Sequence, residues 1–173
     1  MKLTIPNFLI SSFRTNHAGE TGAVFIYKAI LMVSRDHEVI EFSKNHLKTE
    51  SEHLRMIEEI LEKKYRSKLI PLWKIAGFLT GFLPSLFGKN FIFATIYYVE
   101  SFVEKHYEQQ IKSLGSKKKY THIKRFIKKL QDDEVSHKNE ARFSAKKFSK
   151  LQVIWGRIVN SGSSFAVKLS KKI

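Results

Sequence analysis

Glu50-Ser51-Glu52-His53 and Glu134-Val135-Ser136-His137 decide how this chain folds. Each is a Glu-x-x-His pair, and in a helix that spacing puts both side chains on one face. Each follows a lone carboxylate, Glu20 or Glu100, carried one helix earlier. Two such pairs and two single glutamates, projecting inward from four helices, are the donor set of a two-metal carboxylate site in a four-helix bundle.

Periodicity places these groups inside the bundle. Leu47, Glu50, Leu54, Ile57 and Leu61 recur at alternating spacings of three and four, the core seam of a helix, and His53 lies beside that line. Ile123, Ile127, Leu130, Glu134, His137, Ala141 and Phe148 form a second stripe. Glu100 falls among Phe93, Ile96, Val103, Tyr107, Ile111 and Leu114, and Glu20 among Val24, Tyr27 and Leu31. Glu52, Glu58, Glu59 and Glu62 largely avoid the seam and read as solvated. A carboxylate buried alone costs several kcal/mol, and like charges add to that. Two divalent cations neutralise four of them. A single Glu-x-x-His on an apolar face reads as a helix-edge salt bridge or a satisfied core histidine. Two, each with a seam carboxylate upstream, read as metal ligands: Glu20, Glu50, His53, Glu100, Glu134 and His137.

The other histidines carry less. His17 reads as a local cap or hydrogen-bonding group, and His37, His46 and His122 as surface or seam-edge residues. Tyr107 shares a helix face with Glu100. Its bland role is a buried phenol that finds a partner. Its functional role, with His106, is to support a ligand or pass a proton, which makes Tyr107 and His106 the candidate catalytic residues.

The chain of 173 residues fits one domain, 1–173. It has no cysteine, so any metal is held by oxygen and imidazole. Sparse proline and glycine predict an all-α chain with helices at about 15–35, 38–64, 72–87, 89–114, 118–148 and 151–171. Asn16 is the expected N-cap of the first. Ser34-Arg35-Asp36 is a short connection that makes the first two helices antiparallel. Ser67 to Pro71 ends the second, and Leu114-Gly115-Ser116 parts the fourth from the fifth. The third crosses between two halves of the same plan.

Met1 to Ile10 does not read as a secretory signal. The longest uncharged run, Ile75 to Gly88, holds Gly77, Gly81 and Pro84 and falls short of the roughly 20 apolar residues a spanning helix needs. The formal charge of +15 fits either ordinary solvated lysine faces or an anionic partner, a membrane surface or a nucleic acid.

Around these residues the chain resembles the demethoxyubiquinone hydroxylase family of ubiquinone biosynthesis. The resemblance rests on Arg14-Thr15-Asn16-His17-Ala18-Gly19-Glu20-Thr21-Gly22-Ala23, on Glu50-Ser51-Glu52-His53-Leu54, on Val99-Glu100, His106-Tyr107 and Gln110-Ile111, and on Asp133-Glu134-Val135-Ser136-His137. Pro71-Leu72-Trp73 and the stretch from Gly77 to Gly88 are similar to its hydrophobic crossover. The likeness runs from about residue 12 to 172. Asn16 stands where many members have Asp, and Ser101 where a second Glu often follows the ligand.

The resemblance implies a ferritin-like four-helix bundle with a hydrophobic crossover helix and an additional C-terminal helix. It implies two iron ions on the six ligands, bridged by Glu50 and Glu134. It also implies hydroxylation of 2-polyprenyl-3-methyl-6-methoxy-1,4-benzoquinol with dioxygen as co-substrate and electrons from the quinol or NADH. The polyprenyl tail calls for an opening toward lipid. Leu69, Leu72, Trp73, Ile75, Phe78, Leu79, Phe82, Leu83, Leu86 and Phe87, then Phe91, Ile92 and Phe93, are the expected apolar surface. Val153, Ile154, Trp155, Ile158, Val159, Phe165 and Val167 lie at the same interface or in the core. The expected setting is the cytoplasmic side of a bacterial cell membrane, peripheral, with other ubiquinone-biosynthesis proteins as partners and no nucleic acid. The strongest rival is a ferritin-like di-iron hydroxylase acting on tRNA, which would use the positive charge on phosphates. Iron storage and a metal-free structural bundle are the others.

Overall fold

A computed structural model describes residues 4–173, so the first three residues of the Met1–Ile10 segment lie outside the described residues. Six long helices follow in order: α1 Ile10–Val33, α2 His37–Ile60, α3 Ile70–Ser85, α4 Lys89–Ser113, α5 Thr121–Ser144 and α6 Lys150–Ser170. The architecture is the all-helical, ferritin-like bundle with a crossover helix and an extra C-terminal helix.

Local chemistry sets the ends. The Asp36 carboxylate accepts the Val39 N–H at 3.2 Å and caps α2, closing the tight α1–α2 connection at Ser34-Arg35-Asp36. Pro71 sits in the first turn of α3, where a missing N–H costs nothing. Gly88 (φ 88°) and Gly115 (φ 56°) flank α4 with left-handed backbone that other residues resist. Ser149 and Gln152 form a reciprocal capping box at the start of α6.

Several expected boundaries shift. α1 begins at Ile10, off a 3-10 turn at Asn7–Leu9, with no side-chain cap. Asn16 is therefore not an N-cap: it is buried inside the helix, where its amide bonds across to Gln110. α2 stops at Ile60 and α5 at Ser144. Phe148 thus leaves the α5 stripe and packs in the connection against Tyr97 and Tyr98, ring centroids 5.3 and 5.7 Å away.

Two apolar clusters fill the bundle. One gathers Tyr27, Ile30, Val39, Phe42, Phe93 and Ile96; the other gathers Phe13, Ile57, Tyr107, Leu114, Ile127 and Leu130. Each such side chain contributes about 1.5–3 kcal/mol when fully buried. The glutamates and histidines of the sequence motifs lie on the same four helices, on the stretches between the two clusters. α3 packs on α1, and α6 on α4. The first contact is backbone to backbone: a Cβ on Gly77 would overlap the Gly22 carbonyl, and one on Gly81 the Ile26 carbonyl.

The apolar surface is narrower than the sequence alone indicates. Trp73 is buried and donates its indole N–H to Ser67 at 2.8 Å, and Ile92 and Phe93 are core. Leu72, Ile75, Leu79, Leu83, Leu86 and Phe87 are exposed, as are Leu151, Ile154, Ile158 and Phe165 of α6. None of the described helices is long and apolar enough to cross a membrane.

Candidate metal centre

The six motif residues meet at the middle of the bundle, and each is at most 6 % exposed. α1 contributes Glu20, α2 Glu50 and His53, α4 Glu100, and α5 Glu134 and His137. They form two overlapping groups, Glu20–Glu50–His53–Glu134 and Glu50–Glu100–Glu134–His137, whose donor atoms within each group all lie within 4.8 Å of one another. Glu50 and Glu134 belong to both. The arrangement is that of two adjacent positions with two shared carboxylates.

His53 Nδ1 stands 3.2 Å from Glu134 Oε1, 3.7 Å from Glu20 and 3.8 Å from Glu50. His137 Nδ1 stands 3.0 Å from Glu50 Oε1 and 3.4 Å from Glu134 Oε2. These are ion-pair distances, yet Glu50 Oε1, both Glu134 oxygens and the two Nδ1 atoms are buried with no aligned hydrogen-bond partner among the described residues. Lone pairs that share a focus in this way fit a metal. Donors bonded at about 2.1 Å to one ion stand about 3 Å apart when adjacent. The donor set, carboxylate oxygen and imidazole nitrogen without sulfur, suits iron or manganese.

The electrostatics say the same. Burial pushes the Glu20 carboxyl up to about 8, with Glu50 and Glu134 adding to it and His53 opposing. Burial and repulsion from Glu134 and Glu50 also raise Glu100 well above the carboxylate range. Burial alone would raise Glu50, but the His137 and His53 imidazoles win and hold it below its ordinary value. Burial disfavours charge on His137, yet Glu134 and Glu50 overcome it and push that imidazole up to about 11. His53 is driven upward against its own burial by Glu134, Glu20 and Glu50. The imidazoles are held positive because the carboxylates demand cations.

Outside the six residues, two tyrosines cross over. Tyr107 of α4 donates to Glu20 of α1, and Tyr27 of α1 donates to Glu100 of α4 at 3.1 Å. Tyr107 thus reaches Glu20 and not the Glu100 whose face it shares. His53 turns its far nitrogen to Asp133 at 3.0 Å. His106 does not reach the carboxylates. Its Nε2 meets Asn16 Oδ1 at 3.1 Å, and burial, then Lys171, lowers its pKa to about 4. His17 is no local cap: it is buried and pairs across to Glu58 of α2 at 3.0 Å, which is thus only part-solvated. His46 is no surface residue: it is 3 % exposed, against Tyr27 and Glu140. Its position four residues before Glu50, one turn back on the same face, was the available signal.

A cavity of about 420 Å³ opens over the centre, between α1 and α4 on one side and α3 and α6 on the other. Glu20, Glu50, Glu100 and Glu134 form its polar floor, with His106 and Tyr107 beside them. Its walls are apolar, and Leu72, Ile158 and Phe165 line it while remaining exposed at its rim.

Fold and site define a class: ferritin-like bundles whose four core helices bring together paired Glu and Glu-x-x-His groups able to hold two cations. Within that class, this chain belongs to the family described as ubiquinone biosynthesis protein COQ7, whose model matches residues 7–170. It is 30 % identical over 165 residues to the Dictyostelium discoideum protein named NADPH-dependent 3-demethoxyubiquinone 3-hydroxylase, mitochondrial, covering 92 % of this chain and 75 % of that one. It is 29 % identical over 163 residues to the Mus musculus protein of the same name, with 92 % and 75 % covered. It is also 26 % identical over 172 residues to the Rhodospirillum rubrum 3-demethoxyubiquinol 3-hydroxylase, with 97 % and 80 % covered.

Proposed function

We propose that this chain is a 3-demethoxyubiquinol 3-hydroxylase, working as one di-iron domain. It inserts one oxygen of dioxygen into the ring of 2-polyprenyl-3-methyl-6-methoxy-1,4-benzoquinol. The observation that carries the reading is the cavity: a polar floor of four carboxylates under apolar walls that open at an apolar rim. Glu20, Glu50, His53, Glu100, Glu134 and His137 would hold two irons, Glu50 and Glu134 belonging to both donor groups. The irons supply activation of dioxygen, which protein side chains cannot do alone.

The chain's own residues do the rest. The walls from α3 and α6 accept an apolar ring and tail and keep water from the floor. Tyr107 and Tyr27 each hold one glutamate by a hydrogen bond and fix where its oxygens point. His106, kept neutral by burial and held by Asn16, gives the cavity a polar lining residue beside the glutamates. Electrons come from the quinol or a nicotinamide donor; the mitochondrial relatives are named for NADPH.

The exposed apolar residues of α3 and α6 support peripheral binding to the cytoplasmic face of a bacterial membrane. A tail too long for the cavity then stays in lipid. Lysines near an anionic leaflet add about 1 kcal/mol each. The relatives, named for a quinone or quinol substrate, favour this reading over tRNA. The test is conversion of a short-tailed demethoxyubiquinol by iron-loaded protein under ¹⁸O₂, with one labelled oxygen expected in the product. Unlabelled product, or none, ends the proposal. Cells lacking the protein should accumulate the demethoxy intermediate.

A further inference from the structure

From Glu100 a line of buried side chains leads out to solvent on the α2–α5 side. Tyr27 donates to Glu100 at 3.1 Å, its hydroxyl lies 3.3 Å from His46 Nδ1, and His46 Nε2 lies 2.9 Å from Glu140 Oε2. Tyr27 and His46 are buried, while the Glu140 side chain is 51 % exposed. The His46 ring stacks on Phe42, centroids 3.9 Å apart, and lies tilted by 38° against His137 at 4.0 Å. The neighbouring rings fix the plane of that ring, but a half-turn about Cβ–Cγ would put carbons where its two nitrogens stand. Glu140, an acceptor at the outer end, selects the orientation that sets Nε2 outward and Nδ1 against the tyrosine hydroxyl.

We propose that Glu140, acting through His46 and Tyr27, positions Glu100 and His137 and so sets the affinity of one of the two metal positions. The inference rests on the reading of the six residues as metal ligands. It is one-sided because Glu100 and His137 belong to the same donor group, whereas Glu20 and His53 belong to the other. The corresponding place on the Glu20 side carries no such line among the described residues: four residues before Glu134 stands the buried, apolar Leu130. These are positioning residues, since none touches the substrate cavity.

The test uses Co²⁺ titration of the metal-free full chain, followed by its visible absorption bands. Wild type should take up two ions. Glu140→Ala, a surface change that leaves the core intact, should weaken one of the two by about 10-fold, in the range typical of partners behind a ligand. Glu140→Gln removes the charge but keeps the acceptor, and should stay near wild type. Tyr27→Phe should match Glu140→Ala, and the double variant should be no weaker than Tyr27→Phe alone. A Glu140→Ala titration that overlays wild type overturns the brace. So do effects that multiply in the double variant, which would mark simple loss of surface charge. A wild-type chain that takes up no Co²⁺ removes the metal reading itself, and the brace with it.

Discussion

The α1–α2 half and the α4–α5 half offer the same donors and surround them differently. Glu20 and Tyr27 on α1 match Glu100 and Tyr107 on α4, and each tyrosine serves the other half's glutamate. Behind these six residues the match ends. His53 has Asp133 at its far nitrogen, whereas the residue before Glu50 is Thr49, whose hydroxyl turns back to Asn45. His137 leans instead on the ring of His46. The bundle thus builds two candidate metal positions of equal donor type and unequal support. Among the described residues, Glu50 and Glu134 are the ones that belong to both donor groups.

The largest effect should come from a shared residue. Glu134→Ala is expected to lower hydroxylation by more than about 100-fold, since even partners behind a ligand cost 10–100-fold, and to bring iron content toward zero. Glu20→Ala and Glu100→Ala should each retain about one ion. Iron analysis beside turnover checks this. An active Glu134→Ala protein would refute the ligand assignment, and equal iron loss in all three would erase the distinction between shared and private ligands.

The covering helices differ as well. α3 meets α1 backbone to backbone at Gly77, while Gly156 of α6 faces the ring of Tyr98 on α4. A carbonyl within a helix cannot retreat, and a ring can turn. Gly77→Ala is therefore expected to destabilise by about 3 kcal/mol and Gly156→Ala by about 1 kcal/mol, as overpacking against rigid and yielding neighbours. Thermal or denaturant unfolding of iron-loaded protein reads the difference. Equal losses would show that both covers are equally adaptable.

Much of this was legible in the residues because metal ligands must share a face, and helical spacing records faces. Glu50 with His53 and Glu134 with His137 could be placed from spacing alone. Residues that act across helices could not. Nothing local ties Tyr107 to Glu20, or Asn16 to Gln110, because those contacts depend on how α1 and α4 cross. Asn16 read as a cap because polar residues near a helix start usually are; its burial depends on a partner distant in sequence. His46 was missed for a different reason. Its seam position was readable, but no carboxylate partner precedes it at ligand spacing; Glu140 comes from α5. The apolar stretch after Pro71 was recognisable, but its division into core and exposed faces follows from where Gly77 and Gly81 press on α1.

Removing the metal should expose the charge imbalance as a pH dependence. In the folded chain Glu20 keeps its proton up to about 8 and His137 up to about 11, while their unfolded counterparts release theirs near 4.5 and 6.5. Glu100 and His53 shift the same way. Between pH 6.5 and 8 the folded state therefore holds more protons than the unfolded one, and stability falls as pH rises. Each proton so retained contributes at most about 1.4 kcal/mol per pH unit. Glu50 shifts the other way but has finished titrating below this window, and the lowered His17, His46 and His106 offset part of the slope at its lower end. The midpoint of thermal unfolding of metal-free protein should drop steadily from pH 6.5 to 8, and two bound cations should reduce the slope by replacing those protons. A flat profile in the metal-free chain would mean that the two halves do not hold their carboxylates as closely as the distances indicate.

The smallest expected effect separates the two covering helices at a lipid surface. The exposed face of α3 carries Leu72, Ile75, Leu79 and Leu83 with a single cation, Lys74, in that span. On α6 the exposed Ile154, Ile158 and Phe165 are interrupted by Arg157, Asn160 and several serines. A face with few charges enters hydrocarbon at little desolvation cost, whereas one with interspersed polar groups stays at the headgroups. Leu79→Ser should then weaken binding to anionic liposomes by several-fold, approaching about 1–2 kcal/mol for a well-inserted side chain. Ile154→Ser should do less, and neither should change iron content. Sedimentation with vesicles measures both. If Ile154→Ser proves the more damaging, α6 is the deeper helix, and the cavity rim would be entered from the Phe165 side and not past Leu72.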